Sequence, residues 1–117
     1  MTDDRVSPNL LTIRDLAARI ERWHERELGN APLPLRALIV AEEAGEVCRA
    51  ILKAEQGIRG DPERWTEQAA EEAADVVIAA LSMLNALAPI AGPPNEVIAK
   101  RATVVLARRF ATDKESA

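Results

Sequence analysis

Two stretches of this chain, VAEEAGEV at 40–47 and AEEAADVV at 70–77, set pairs of carboxylates into stripes that are otherwise apolar. Residues three apart on a helix project from one face. Glu43 and Glu46 therefore share a stripe with Ile39, Val47, Ala50 and Ile51, and Glu72 and Asp75 share one with Ala69, Val76, Ala79 and Met83. Glu42 and Glu71 stand beside them and make like-charge i,i+4 pairs with Glu46 and Asp75. Each such pair costs roughly 0.2–0.5 kcal/mol even on an exposed helix. No basic residue follows at the relieving position, since 47, 50, 76 and 79 are Val, Ala, Val and Ala; only Arg49 lies close in sequence. A solvated acidic face is the plain alternative, but the phase of the acids and the missing partners favour a shared hard cation.

The rest of the composition narrows the fold. A chain of 117 residues makes one domain, spanning 1–117, with a single core. It is 48% hydrophobic, with only Trp23, Trp65 and Phe110 aromatic, which suits packed helices and is poor material for a sheet. Thr12 reads as an N-cap, with Asp15 in the first turn. Pro32 and Pro34 mark a connection, Gly57 a helix end, Asp61–Pro62 a helix start, and Pro89 to Pro94 the last loop. The expectation is an all-α, four-helix bundle-like domain with helices at about 12–28, 35–56, 62–88 and 95–111. The third helix has a possible break near Thr66, and residues 1–10 and 112–117 are expected to be flexible.

Other features exclude functions. The net charge of −4 gives no basic field for a nucleic-acid polymer. A lone cysteine, Cys48, rules out an internal disulfide and a cysteine-based zinc site. The polar, acidic start has no signal-peptide character, so a cytoplasmic protein is expected. From Ala73 to Ala88 only Asp75, Ser82 and Asn85 are polar. A helix apolar nearly all round is buried on more than one side. This one is too short and interrupted for a membrane span. Its second face, around Val77, Leu81, Leu84 and Ala88, is expected to pack on another subunit.

Clustered carboxylate oxygens favour Mg²⁺, with Mn²⁺ the alternative. Glu21 and His24 form an ExxH pair, but a di-iron bundle needs two such pairs and this chain has one histidine. His24 reads instead as a partly exposed helix residue. Four or five acids outweigh one divalent ion, and a polyphosphate adds more negative charge. Two or more ions per site would bridge acids and phosphate oxygens, which points to hydrolysis of a phosphoanhydride. Glu42, next to Glu43 but rotated from it, is the candidate general base.

At this point a resemblance can be stated. EExxE in AEEAGEV, followed after a linker by ExxD in EEAADVV, resembles the MazG-like superfamily of all-α nucleoside triphosphate pyrophosphohydrolases. The similarity takes in Trp23 on a preceding helix, LKAEQGIRG after the first motif, and Lys100 and Arg108 on the last helix; it covers roughly residues 13 to 110. It implies Mg²⁺-dependent cleavage of a (deoxy)nucleoside triphosphate to monophosphate and pyrophosphate, as in nucleotide-pool house-cleaning. It also implies Glu43, Glu46, Glu72 and Asp75 as metal ligands, and a homodimer or homotetramer. Lys100 and Arg108, with Lys53 and Arg59 behind them, become substrate-binding candidates. One position departs from the pattern: Val104 stands where the family often has Asn. Trp23 is expected in the core, and Asn85 either reads a base edge or makes a buried hydrogen bond. The competing reading is a non-catalytic helical dimer that binds metal, nucleotide or a protein partner.

Overall fold

A computed structural model describes residues 12–27, 31–56 and 62–116. It contains four helices and, among the described residues, no strand: α1 (Ile13–Glu27), α2 (Leu33–Gln56), α3 (Pro62–Ala91) and α4 (Pro94–Ser116). The expected arm at 1–8 and the turn carrying Gly57, Arg59 and Asp61 lie outside the described residues.

The helix starts follow from local chemistry. Thr12 Oγ1 accepts a hydrogen bond from the Asp15 amide at 3.1 Å, as an N-cap should. α2 opens two residues earlier than expected, at Leu33, because the Pro32 carbonyl accepts from the amides of Leu35 and Arg36. Pro34 then falls in the first turn, where its missing N–H has no partner to lose. α4 begins the same way, with Pro94 in its first turn and the Pro93 carbonyl accepting from Glu96 and Val97.

The helix ends depart further from the expected positions. Pro89 does not stop α3, which runs unbroken past Thr66 and on to Ala91. So near the end, the proline forfeits a single hydrogen bond. Gly92, at φ 95°, ends the helix with its amide bonded to the Ala88 carbonyl at 2.9 Å. α4 continues to Ser116, past the expected helix end at 111 and into the segment 112–117.

α2 and α3 form the main contact of the fold, an antiparallel hairpin, with α1 laid against α3 and α4 touching α1 and α3 but not α2. The hairpin seam is legible as a heptad. Arg36 meets Ser82 and Lys53 meets Trp65 at its two ends, and Glu46 meets Glu72 between them. Positions 36, 39, 43, 46, 50 and 53 thus run opposite 82, 79, 75, 72, 68 and 65, at the 3,4 spacing of a coiled-coil seam. Ala50 and Ala79 are buried on it. The acids occupy its middle.

The core is small and lies where α1 meets the hairpin, around Ala17, Ile20, Ala31 and Leu81. Leu81, expected on a subunit-facing surface, is instead buried within the chain at 2% exposure. The exposed large apolar residues of α3, spread around the helix, are Val77, Ile78, Leu87 and Ile90. Trp23, expected in the core, is 46% exposed, because Ala17, Ile20 and His24 form the buried line of α1 and Trp23 sits beside it. α3 is long and apolar enough, by length and composition, to cross a membrane, with a mean hydropathy of 1.8 over its most apolar window.

Candidate metal centre

Glu43, Glu46 and Glu72 each offer a carboxylate oxygen, and these three oxygens lie within 4.8 Å of one another. Two come from one face of α2 and the third from the facing position of α3, so the hairpin register itself assembles the set. All three side chains are half-buried. Asp75 belongs to the same seam but is exposed and lies outside the three-oxygen group. It nevertheless acts electrostatically on both Glu43 and Glu72.

The energetics of this cluster are unfavourable as it stands. Burial pushes the Glu43 carboxyl above its ordinary range, and the charges of Glu46, Asp75 and Glu42 push it further. Glu72 is raised first by its hydrogen bond with Glu46, then by burial and by the charges of Glu46, Asp75 and Glu43. Two carboxyl groups can share a hydrogen bond only if one keeps its proton. Among the described residues, every cause acting on these two groups raises them, and none is a cation. Arg49 turns back along α2, its Nη1 3.8 Å from where a Cβ on Gly45 would be. The Glu43 Oε2 atom is buried without a hydrogen-bond partner. An oxygen-only donor set with an orphaned buried oxygen fits a hard divalent cation.

The remaining expected site residues are more scattered. Glu42 is exposed beside the cluster. Lys53 is exposed at the far end of the seam, its Nζ 4.9 Å from the centre of the Trp65 ring. Seven residues separate it from Glu46, about 10 Å along the helix. Lys100 and Arg108 are exposed on α4, which makes no contact with α2. α4 does pack on α3, the helix that carries Glu72 and Asp75. Asn85 donates to the Ala17 carbonyl at 2.9 Å, so it ties α3 to α1 rather than presenting an amide to a ligand.

A second polar cluster was not anticipated from the sequence. Arg36, 2% exposed, donates to both oxygens of Glu21, at 2.9 and 3.1 Å, and to the carbonyls of Ala31 and Ser82. His24, expected to be partly exposed, is 5% exposed, with Nε2 2.8 Å from Ser82 Oγ. Glu21 and His24 are therefore joined to a polar network spanning three helices. The one available signal was spacing: Arg36 precedes Glu43 by seven residues and so shares its heptad position.

No protein-family model matches this chain, and no curated protein and no solved structure matches it.

Proposed function

We infer that the protein is a Mg²⁺-dependent nucleoside triphosphate pyrophosphohydrolase of MazG-like type, releasing pyrophosphate from a (d)NTP. The observation that carries this reading is the convergence of Glu43, Glu46 and Glu72, two of them raised by one another's charge and by burial. Those residues, joined by Asp75 from its flanking position, would hold the ions. Bound divalent ions would supply an acidified water and charge neutralisation at phosphate oxygens. Glu42, beside the cluster rather than in it, is suited to accept the proton of that water. Mn²⁺ would serve the same oxygens.

The reading includes a second copy of the chain, as a homodimer or homotetramer. Every residue from Ala99 to Arg108 on α4 is exposed, Val104, Val105 and Leu106 among them. A helix held along so little of its length is marginal in water. A partner covering this face and Val77, Ile78 and Leu87 of α3 would give it support, and would offer a route for Lys100 and Arg108 to reach phosphate. A cytoplasmic enzyme serving the nucleotide pool accords with this. The contrasting reading, a helical dimer that binds metal, nucleotide or protein without turnover, rests on the separation of α4 from α2 within the chain.

Turnover separates the two. With Mg²⁺ and a panel of NTPs and dNTPs, coupling to inorganic pyrophosphatase should yield phosphate from at least one nucleotide, at equal amounts of monophosphate and pyrophosphate. A folded protein that releases no pyrophosphate from any of them would support the binding module instead.

A further inference from the structure

His24 is the sole histidine of the chain and sits at the junction of α1 and α3. Its Nε2 meets Ser82 Oγ at 2.8 Å, while its Nδ1 is buried with no hydrogen-bond partner. A neutral ring tolerates this. With the proton on Nε2, the imidazole donates to Ser82, and Nδ1 is an acceptor left idle. Protonation would put a buried N–H, carrying positive charge, where nothing accepts it. The surrounding charges oppose each other. Among the described residues two act on the ring: the buried Arg36 guanidinium from α2, which repels the imidazolium, and, more weakly, Glu21 from α1, which attracts it but has both oxygens engaged by Arg36. α3 presents the neutral Ser82 and Asn85, and no charge among the described residues of α4 contributes.

We propose that His24 and Ser82 form a proton-operated latch, in which α1 stays docked on α3 only while the imidazole is neutral. Protonation opens the junction, letting the ring reach water and withdrawing Glu21 from Arg36. The latch is separate from the carboxylate cluster and does not depend on any activity. Burial, followed by Arg36, holds the imidazole below its ordinary value of 6.5. A depressed folded value means that this contribution to stability is complete above pH 6.5 and is lost as pH falls below it.

The test is an NMR titration of the full chain from about pH 8 to about pH 5, following the His24 ring proton and the exchange of the α1 amides together. The latch requires the ring to titrate below 6.5, and α1 protection to fall about tenfold for each pH unit beyond that point, while α2 and α3 remain protected. His24→Gln, which stays neutral and can still bond Ser82, should abolish the pH-dependent loss. Two results would overturn the proposal: a ring that titrates while α1 protection stays flat, or the same loss of protection in His24→Gln. Should that variant not fold, coincidence of ring titration and α1 opening in the unaltered chain decides the matter.

Discussion

Arg36 and Glu21 are joined by two hydrogen bonds, Nη1–Oε2 at 2.9 Å and Nη2–Oε1 at 3.1 Å, and between them they fix α1 to the start of α2. Arg36 also grips the Ser82 carbonyl of α3, so three helices converge on one guanidinium. Arg36→Leu should destabilise the fold strongly, by about 3–5 kcal/mol, because Glu21 and two carbonyls lose their donor together. Glu21→Gln should cost less, about 1–3 kcal/mol, because the amide retains one acceptor and the site is partly wet. The Arg36 hydrogen bond holds Glu21 below its usual 4.5, so its contribution is present above that pH and disappears as pH falls below it. Urea unfolding at neutral pH, followed by circular dichroism, measures both variants.

The acidic cluster predicts a conflict between stability and binding. Glu46→Gln removes one of several like charges packed together at the middle of the seam, so the metal-free variant should unfold at a higher temperature than the parent. The same change should abolish pyrophosphate release with the helical signal intact. Asp75→Asn should also abolish turnover, although its exposed position makes its effect on metal-free stability the smaller. Thermal melts with and without Mg²⁺, alongside the turnover assay, read both effects. Near-normal turnover in either variant would remove that residue from the ligand set.

In the proposed metal centre, proton and metal would compete for the same oxygens. Glu43 and Glu72 are raised above 4.5, so the folded apo-protein holds protons there that the unfolded chain has released. Their contribution to apo stability is present below pH 4.5 and is lost as pH rises through the raised values. Metal affinity must run the other way, weakening as pH falls into that range and levelling off once both groups are ionised. Calorimetric titration with Mn²⁺ at several pH values should show this slope, with protons released on binding.

Gly45 interrupts α2 between Glu43 and Glu46, where it costs helix stability. A Cβ there would meet only Arg49 Nη1, at an ordinary 3.8 Å. Gly45→Ala should therefore stabilise the protein by about 0.5–1 kcal/mol. Chemical denaturation checks this, and a loss of stability would show that the glycine is needed for close approach at the cluster.

Much of this arrangement was readable from residue order, and the failures have physical causes. Thr12, Pro62 and Gly92 announce helix ends through backbone chemistry that acts locally, and the heptad places Glu46 opposite Glu72 once α2 and α3 are antiparallel. Pro89 misled because a proline's cost depends on how many turns follow it, and here few do. His24 and Arg36 were missed because a polar residue on an apolar stripe looks the same in sequence whether it will find water or partners on two other helices. Trp23 was misassigned for the converse reason: an aromatic side chain beside an apolar stripe looks like part of it, whereas Ala17, Ile20 and His24 form the buried line of α1. The place of Lys100 and Arg108 was not readable, since α4 makes no contact with α2 within the chain.

The central claim, that the carboxylates of α2 and α3 hold divalent cations, is tested most directly by titrating Mn²⁺ into the metal-free protein and counting bound ions by electron paramagnetic resonance. The account predicts saturable binding of at least one ion per chain, displaced by Mg²⁺ and lost in Glu46→Gln. Unsaturable, weak association that is unchanged in Glu46→Gln would contradict it.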